Sequence, residues 1–399
     1  MGHKTILFPL VTVFILSCCG CGGGSGGNES SSAKTTSSVL AAGTAHAALL
    51  KSDGTIWVWG ENTNGQLGDG SNENRVTPIQ NSGFSGSVAV AAGSNFTVAL
   101  KSDGTVWGCG DNSHGQLGDG TNISSNIPVQ VQITTTDNIL AKLTGVTTVS
   151  AGDGFAVALR NDGTVWAWGY NIHGQLGDGT IIDRNTAVQI AGLSGVVAIA
   201  AGSSDTIALK KDGTVWGWGS NSNGELGYEL VNEQVFSLPH YAPVQVAGLS
   251  GVTAIAEGDR STYALIKNGT VWALGANWNG QLGDGTTNDS NIPVQVSALS
   301  GVTAIAAGFR SNLALLGDGT VRAWGANWYG QIGDGTIADQ PTPVKVVDLS
   351  GVVAIAAGNG FSVALKNDGS VWAWGYNDSG QLGDGTTTIS SIPVQAVAN

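Results

Sequence analysis

Short apolar runs alternate with glycine-rich polar turns along most of the chain. In residues 195–246, GVVAIAAG is a nearly continuous apolar run, which is typical of a strand buried on both faces. The next stretch, TIALKKDGTVWGWG, predicts two strands joined at Asp212-Gly213. A tight glycine turn and a short final strand, APVQV, complete the unit. The pattern therefore predicts four strands in each unit of about 50 residues.

The unit recurs seven times. The glycine that closes the tryptophan-rich strand lies at Gly60, Gly110, Gly169, Gly219, Gly275, Gly325 and Gly375. Four of the six intervals are 50 residues, and the other two, 59 and 56, indicate insertions at 132–144 and 228–241. Four-stranded sheets repeated radially form a propeller. We therefore predict an all-β fold, a seven-bladed β-propeller; how its first and last units meet stays open.

Two local features of the unit have structural explanations. Asp-Gly between strands predicts a two-residue hairpin turn in which both residues have positive φ. Two tryptophans at alternate positions, such as Trp166 and Trp168, share one face of a strand and are expected to pack against the neighbouring sheet. Eleven of the 13 tryptophans occupy these positions, which leaves Trp278 and Trp328 for another role.

The N-terminal segment differs from the repeats. Residues 1–18 contain one lysine, an apolar run too short to span a bilayer, and Ile15-Leu16-Ser17-Cys18, which resembles a bacterial lipobox with Cys18 as the lipidated residue. Residues 19–38 predict a Gly/Ser-rich tether, and 39–399 the propeller. We expect lipid anchoring in a bacterial cell envelope, at the outer membrane or cell surface; a plain secretory signal is the alternative.

Charge and cysteine content narrow the function. The net charge of −13 argues against nucleic acid as a partner, because phosphate binding needs clustered lysine and arginine. Cys109 stands where other units place tryptophan or leucine and is expected to be buried, and no disulfide framework is predicted. The chain is expected to be a monomer.

The repeat AAG…AL…DG.VW.WG.N..GQLGDG…PVQV resembles that of the regulator of chromosome condensation family. The resemblance covers about 39–399 and implies a seven-bladed propeller. The family's namesake is an exchange factor for a small GTPase and binds chromatin; the lipobox and the acidic body argue against both partners here. A closer analogue in setting is a secreted bacterial propeller that inhibits β-lactamases. The resemblance thus implies protein binding without naming the partner.

One set of variable positions lies between the asparagine after WG and the GQLG turn. Trp278, Trp328 and Tyr329 are large aromatic residues in adjacent units where other units carry small or polar residues. Exposed aromatic residues are frequent at interface hot spots, so we predict a partner-binding role for them and for His173 of the third unit. The alternative is that they pack locally against neighbouring loops.

A second variable set follows the AAG strand. We predict that it lines one mouth of the propeller channel, where Arg260, Phe309 and Arg310 would form a basic and aromatic surface able to bind an anionic group. The alternative is channel filler and solvated charge. The set comprises Phe96, Phe155, Asp205, Arg260, Phe309, Arg310 and Phe361.

The repeated aspartate of the GDG turn raises the question of a metal or catalytic site. Calcium needs six to eight converging oxygens, whereas each aspartate belongs to its own unit, so turn capping is the favoured interpretation. No pair of acidic residues suited to glycoside hydrolysis stands out, and neither HExxH nor GxSxG occurs. We predict no cofactor, no metal and no enzymatic activity. The aspartates are Asp69, Asp119, Asp178, Asp284, Asp334 and Asp384.

These observations favour an envelope-anchored, non-catalytic scaffold that binds a protein partner through variable loops on one face. Two alternatives remain open at this stage. One is a carbohydrate-active or other hydrolytic enzyme of the envelope, and the other is a purely structural or adhesive surface protein.

Overall fold

A computed structural model of the chain describes residues 39–231, 234–236 and 238–397. They form seven blades of four antiparallel strands, as the repeats predict, and no α-helix is found among them. No helix in this part of the chain is therefore long and apolar enough to cross a bilayer. Cys18 and the predicted tether lie outside the described residues.

The first four blades and two insertions occupy the N-terminal part of the described chain. Blade 1 is β1 (Val39–Ala42), β2 (His46–Leu50), β3 (Ile56–Gly60) and β4 (Arg75–Asn81), followed by a 3-10 turn at Ser82–Phe84. Blade 2 is β5 (Ser87–Ala92), β6 (Phe96–Lys101), β7 (Val106–Gly110) and β8 (Ser125–Gln130), followed by β9 (Gln132–Thr134) and β10 (Leu140–Lys142). Blade 3 is β11 (Val146–Ala151), β12 (Phe155–Arg160), β13 (Val165–Gly169) and β14 (Arg184–Gln189). Blade 4 is β15 (Val196–Ala201), β16 (Asp205–Lys210), β17 (Val215–Gly219) and β20 (His240–Gln245), interrupted by β18 (Glu229–Val231) and β19 (Gln234–Phe236).

The last three blades repeat without insertion. Blade 5 is β21 (Val252–Glu257), β22 (Ser261–Ile266), β23 (Val271–Gly275) and β24 (Ser290–Gln295). Blade 6 is β25 (Val302–Ala307), β26 (Ser311–Leu316), β27 (Val321–Gly325) and β28 (Gln340–Lys345). Blade 7 is β29 (Val352–Ala357), β30 (Phe361–Lys366), β31 (Val371–Gly375) and β32 (Ser390–Gln395).

The hydrophobic core lies between the blades. Each buried cluster combines side chains from neighbouring blades; one, for example, joins Phe96 and Val98 of blade 2 to Ala156 and Trp168 of blade 3. The innermost strand of each blade contacts the innermost strand of the next, and β29 contacts β1 to close the ring. Since no blade can bury both faces alone, each depends on its two neighbours.

A buried tryptophan joins most pairs of blades. The indole N–H of Trp168 in blade 3 donates to the backbone carbonyl of Gln116 in blade 2 at 2.9 Å, and its ring packs against Gly118, where a Cβ would collide with it. Trp59, Trp218, Trp324 and Trp374 donate in the same way to Gln381, Gln175, Gln281 and Gln331. At the two joints without tryptophan, Cys109 Sγ donates to the Gln66 carbonyl and Thr262 to the Glu225 carbonyl.

The two tryptophans of a pair differ in environment. The second is fully buried, as predicted, whereas the first is only partly buried at the edge of the joint. In five blades a basic side chain at or just after the end of the second strand lies over the first ring; Lys51 Nζ, for example, lies 3.9 Å from the centre of the Trp57 ring. The second tryptophan is therefore the one that links blades, and the first shields the joint's outer edge.

The predicted geometry of the Asp-Gly turns is wrong. Only the glycine has positive φ, 81° at Gly54, while Asp53 does not. Lys51 N–H donates to the Thr55 carbonyl and Gly54 N–H to the Lys51 carbonyl, which makes a three-residue loop. Asp53 is kept out of the left-handed region because its carboxylate accepts hydrogen bonds from the backbone and hydroxyl of Thr55, at 2.9 and 2.6 Å.

The ring closes without sharing a strand. All of blade 1 comes from the start of the described chain and all of blade 7 from its end. The joint is held by side-chain and loop contacts: Trp59 Nε1 donates to the Gln381 carbonyl, and Gly385 N–H donates to the Val76 carbonyl at 3.0 Å. The question left open by the sequence is thus answered by an ordinary inter-blade joint.

The insertions have different roles. The first, within 132–144, forms β9 and β10, and β9 pairs in parallel with β14, so that blade 3 gains two outer strands from the chain leaving blade 2. The first insertion therefore links blades 2 and 3 through backbone pairing. The second, within 228–241, contributes a separate two-stranded sheet of β18 and β19.

The two variable loop sets lie on one face of the disc. In an antiparallel blade, the connection between strands one and two and the connection between strands three and four lie at the same end. We call this end the loop face. The Asp-Gly turns and the connections between blades lie at the opposite end. Both variable loop sets and the second insertion are therefore on the loop face, whereas the first insertion, which connects blades 2 and 3, is at the opposite end.

The closing joint generates a stability prediction. Trp59→Phe removes the bond to Gln381 and part of a buried ring, so we expect a loss of about 2–4 kcal/mol in the free energy of unfolding. Trp57→Phe, a matched change two residues away, should cost less than about 1 kcal/mol because Trp57 is partly exposed. Urea unfolding monitored by circular dichroism measures both; equal losses would contradict the proposed joint.

Candidate functional site

The set of positions that follows the AAG strand is divided between core and surface. Phe96, Phe155 and Phe361 are completely buried, so the prediction that they line the channel mouth is wrong. Each ring packs over the glycine that ends the preceding strand; at Gly93, a Cβ would collide with the Phe96 ring. They fill space between blades because their strands, and not the preceding loop, hold them. Asp205 occupies the same place in blade 4 and is also buried.

The remaining members of this set contact the aromatic residues of the other variable set, which lies before the GQLG turn. Arg260 and Phe309-Arg310 belong to the first loops of blades 5 and 6, which connect strands one and two. Trp278 and Trp328 belong to the third loops of the same blades, which connect strands three and four. Their side chains form one cluster on the loop face. We call it the aromatic–arginine patch, defined as Arg260, Trp278, Phe309, Arg310 and Trp328.

Arg310 is the centre of the patch. Its guanidinium carbon lies 5.0 Å from the ring centre of Phe309, 5.1 Å from that of Trp278 and 5.8 Å from that of Trp328. The side chain is only 25% exposed. A guanidinium held against three ring faces at these distances is stabilised by cation–π attraction and loses rotational freedom. The aromatic rings therefore hold the charge in place.

Arg260 borders the patch and is more exposed, at 48% of its side chain. Its guanidinium carbon lies 6.0 Å from the Trp278 ring centre. Its backbone has φ of 58°, at a place where blades 3 and 7 have Gly154 and Gly360 with φ of 79° and 78°. An arginine in the left-handed region costs about 1 kcal/mol or more, which is typical of positions kept for function.

Asp259 lies beneath both arginines. One carboxylate oxygen is 3.5 Å from Nε of Arg310 and the other 3.9 Å from Nε of Arg260. The side chain is 8% exposed, and burial raises the pKa of Asp259, an effect that the two arginines oppose. One carboxylate thus faces two guanidinium groups. Sequence analysis missed Asp259, although its position before Arg260 differs from the small or polar residues of most other blades.

The row of aromatic residues continues into blade 7. Tyr329 lies 4.7 Å from Tyr376, ring centre to ring centre, and beside Gly360. The Tyr376 hydroxyl donates to Asp378 at 2.9 Å. Trp278, Trp328 and Tyr329 contact neighbouring loop residues but are still 44%, 49% and 38% exposed, so part of each ring remains in solvent. Tyr376 was not predicted as a site residue, because the variable position between the WG pair and the following asparagine was not among the two sets of variable positions.

His173 is separate from the patch. Its ring lies 6.5 Å from that of Tyr170, which also contacts His114 at 4.4 Å. His114 Nδ1 is 2.8 Å from a carboxylate oxygen of Asp183. These residues belong to blades 2 and 3. The structure therefore places His173 in a second polar–aromatic cluster, away from the other predicted residues.

The channel mouth is lined by first loops from around the ring. A cavity of about 290 Å³ opens there, lined by Thr44, Asn95, Asp153, Ser203 and Phe309 among others. Phe309 N–H donates to the Gly358 carbonyl, one of the backbone bonds between adjacent loops. Of the predicted mouth residues, Phe309 contributes to both the mouth and the patch.

The GDG aspartates are held within their own loops. Oδ1 of Asp69 accepts from the side chain of Asn62 and from the backbone and hydroxyl of Ser71, and Oδ2 pairs with Arg75 at 2.6 Å. Asn62 in turn accepts from Leu67 N–H. Asp69 therefore caps its own turn, as the sequence analysis expected. Across residues 39–231, 234–236 and 238–397, no group of three or more metal-ligating side chains is placed to hold an ion.

A buried pair of acidic residues lies at the joint between blades 4 and 5. Asp205 and Glu257 share a hydrogen bond and pack against Gly202; blades 2, 3 and 7 have phenylalanine at the position of Asp205, and every other blade has alanine at that of Glu257. Burial raises the pKa of Asp205 to about 7, and burial together with the charge of Asp205 raises the pKa of Glu257 well above its usual value. Buried Glu225 adds a further negative charge. The pair therefore retains a proton at a pH where exposed carboxyls have lost theirs.

The fold and repeats define the class of protein: a seven-bladed propeller of about 50-residue repeats. A family model described as the RCC1-like domain matches residues 88–398, and models of the regulator of chromosome condensation (RCC1) repeat match 53–100 and 39–66. The chain belongs to the RCC1-like family.

Solved structures agree in fold. Prp20p of Saccharomyces cerevisiae, studied for binding to Gsp1p and histones, is 25% identical, with a TM-score of 0.74 and 86% of each chain covered. Yeast RCC1 (Prp20) bound to Kap60 is 24% identical, with a TM-score of 0.76 over 86% of this chain and 83% of that one. Human WBSCR16 is 23% identical, with a TM-score of 0.69 over 82% and 86%.

The acidic pair generates a pH prediction. Asp205 holds its proton to about pH 7 in the folded protein but loses it near pH 4 when unfolded. The folded state binds more protons between these values, so Asp205 alone lowers the free energy of unfolding as pH rises, by up to about 1.4 kcal/mol per pH unit. Asp205→Phe with Glu257→Ala restores the residues of other blades. We expect its stability advantage over the wild type to grow from pH 4 to 7 in urea unfolding.

His46→Phe is the control with the opposite sign. Burial lowers the pKa of His46 to about 4, so the unfolded chain binds the proton first as pH falls below about 6.5. The stability advantage of His46→Phe should therefore grow as pH falls from 6.5 to 4. If both variants gain stability in the same direction of pH, the assignment of the acidic pair is wrong.

Proposed function

We propose that this protein is an envelope-anchored, non-catalytic scaffold that binds a protein partner through the aromatic–arginine patch. The observation that carries the proposal is the exposure of Trp278 and Trp328, at 44% and 49%, on either side of a held guanidinium. Exposed tryptophan and arginine are the residues most often found at interface hot spots. A rigid frame holds them, which lowers the entropy lost when a partner binds.

The contrast with the other tryptophans supports this choice. The joint tryptophans are 0% exposed, and the outer members of each pair are partly buried. The chain therefore has inter-blade positions for tryptophan and uses them repeatedly. Two further indoles, in loops of adjacent blades, do not take part in the buried indole–carbonyl joints and leave apolar surface in water, which favours a partner that covers it.

A binding function also fits the relatives better than catalysis does. Prp20p is studied for its binding to Gsp1p and histones, and yeast RCC1 is seen bound to Kap60. In this chain, Asp69 is engaged by its own loop and Asp205 with Glu257 is buried away from solvent, so neither offers carboxylates to a substrate. The net charge of −13 disfavours nucleic acid, and the envelope setting disfavours a small GTPase.

The anchoring part of the proposal rests on the N-terminal sequence. Residues 1–18 would be a lipoprotein signal ending in lipidated Cys18, 19–38 a tether and 39–399 the propeller of a monomer. The direction of the first strand supports an exposed loop face. β1 runs towards the loop face, so Val39 lies at the opposite face. A tether attached there would leave the patch facing away from the membrane.

Partner capture tests the site. Full-length protein carrying Trp278→Ala and Trp328→Ala should retain less than about a tenth of the partner that the wild type captures from an envelope extract. The reason is that two hot-spot residues each contribute about 2 kcal/mol or more. Quantitative mass spectrometry of the captured proteins gives the measurement.

The matched control removes exposed apolar surface elsewhere on the loop face. Ile172→Ala with Ile182→Ala removes side chains that are 53% and 60% exposed in blade 3, outside the patch, and should leave capture unchanged. Equal capture by the patch variant and the wild type would refute the site. Loss with the control variant alone would assign binding to blade 3.

Fractionation tests the anchor. Cys18→Ser removes the residue predicted to be lipidated, so we expect the protein to leave the membrane fraction or to accumulate unprocessed, and to lose incorporation of labelled palmitate. Cys109→Ser is the control, because Cys109 is buried in the propeller. Unchanged labelling of the Cys18 variant would rule out this lipid anchor.

A further inference from the structure

Arg260 and Arg310 carry two positive charges, and the one carboxylate in contact with them in the described part of the chain is that of Asp259. Asp259 is the carboxylate paired with both Arg260 and Arg310, and neither contact is short, at 3.9 and 3.5 Å between nitrogen and oxygen. Nε of Arg310 is buried without a hydrogen-bond partner. Within a protein of net charge −13, the three residues together form a local site with an excess of one positive charge.

The environment strengthens this charge. Aromatic rings flank the Arg310 guanidinium, which lowers its contact with water. A charge-assisted hydrogen bond gains strength where water is excluded, and arginine presents paired N–H groups that fit a carboxylate. The half-exposed Arg260 beside it offers a second set of donors. The rings and Asp259 thus position the two guanidinium groups so that they can bind a planar anion such as a carboxylate.

The left-handed backbone of Arg260 is an independent sign of selection for this charge. The same loop position is glycine in blades 3 and 7, where φ is also positive. Glycine would hold this conformation without strain. The chain instead places a long cationic side chain there, beside Trp278. Packing alone would not require it, since that side chain is 48% exposed.

We propose that the aromatic–arginine patch recognises a carboxylate on an extended protein segment, with Arg260 and Arg310 binding the carboxylate and the indoles of Trp278 and Trp328 covering a neighbouring apolar side chain. This inference rests on the proposed protein-binding function and specifies the chemistry of the partner. The aromatic row, which runs over blades 5, 6 and 7 to Tyr329 and Tyr376, matches a linear segment better than a compact molecule.

A selection from a displayed library of random 12-residue peptides tests the proposal on the full-length protein in detergent. We expect selected sequences to be enriched at least threefold in aspartate or glutamate next to an apolar residue. The same selection on Arg260→Gly with Arg310→Gln should lose that enrichment. Libraries with a free and an amidated C-terminus separate a terminal carboxylate from a side-chain one.

Two controls keep the result specific. Lys267→Gln with Arg322→Gln removes the same charge outside the patch and should leave the acidic enrichment unchanged. Thermal unfolding should show that Arg260→Gly folds, with Tm at or above the wild-type value, because the strain at φ of 58° is relieved. A selected acidic peptide should bind at least tenfold tighter than its amide counterpart, and more weakly at high salt.

Several outcomes would overturn the inference. These are neutral or basic selected sequences, equal acidic enrichment on the arginine variant, or binding of polygalacturonate with no selection of peptides, which would assign the patch to an acidic polysaccharide. Partner capture that depends on Trp278 and Trp328 while acidic enrichment is absent would leave the protein-binding function intact and reject only the carboxylate.

Discussion

The structure depends on one hydrogen bond repeated at five of the seven joints, from a buried indole of one blade to a backbone carbonyl in the GQLG-type turn of the blade before it. At Trp168 this bond satisfies a carbonyl that would otherwise be buried without a partner, and the ring fills the space over Gly118. An unsatisfied buried carbonyl costs about 1–3 kcal/mol. The bond therefore fixes the turn as well as the blade, and the turn carries the variable residues of the third loop.

This coupling explains how loops can vary on a constant frame. Trp278 and Trp328 lie a few residues before the Gln281 and Gln331 carbonyls, which the next blade's indoles hold at 2.8 Å. The loop backbone is thus fixed from outside, and the side chains at its tip are free to change without loss of the joint. A site built in this way is rigid before a partner arrives, which lowers the conformational cost of binding.

The sequence predicts the architecture well because the repeat states it seven times. Period, strand pattern and the buried second tryptophan all follow from local spacing. Prediction fails where neighbours in space decide: Asp53 is kept from positive φ by its own hydrogen bonds to Thr55, and Phe96 is buried by the strand that carries it. From the sequence, Arg260 and Trp278 could be recognised only as members of two loops of the same repeat, and their contact could not be predicted. That Arg310 lies among three rings, and that His173 lies elsewhere, required the arrangement of blades.

Several departures from the repeat lie together in one sector, and this grouping has a physical meaning. Between blades 4 and 6 the chain replaces a joint tryptophan by Leu274, a buried ring by Asp205 and a glutamine by Glu225, and it places Arg260 in a strained backbone. Each change costs stability relative to the residue used by other blades. A closed ring tolerates such losses at one joint because the other joints still hold both ends of that sector. The closed ring thus permits a sector in which side chains are arranged for recognition at the expense of packing, and the aromatic–arginine patch lies on that sector.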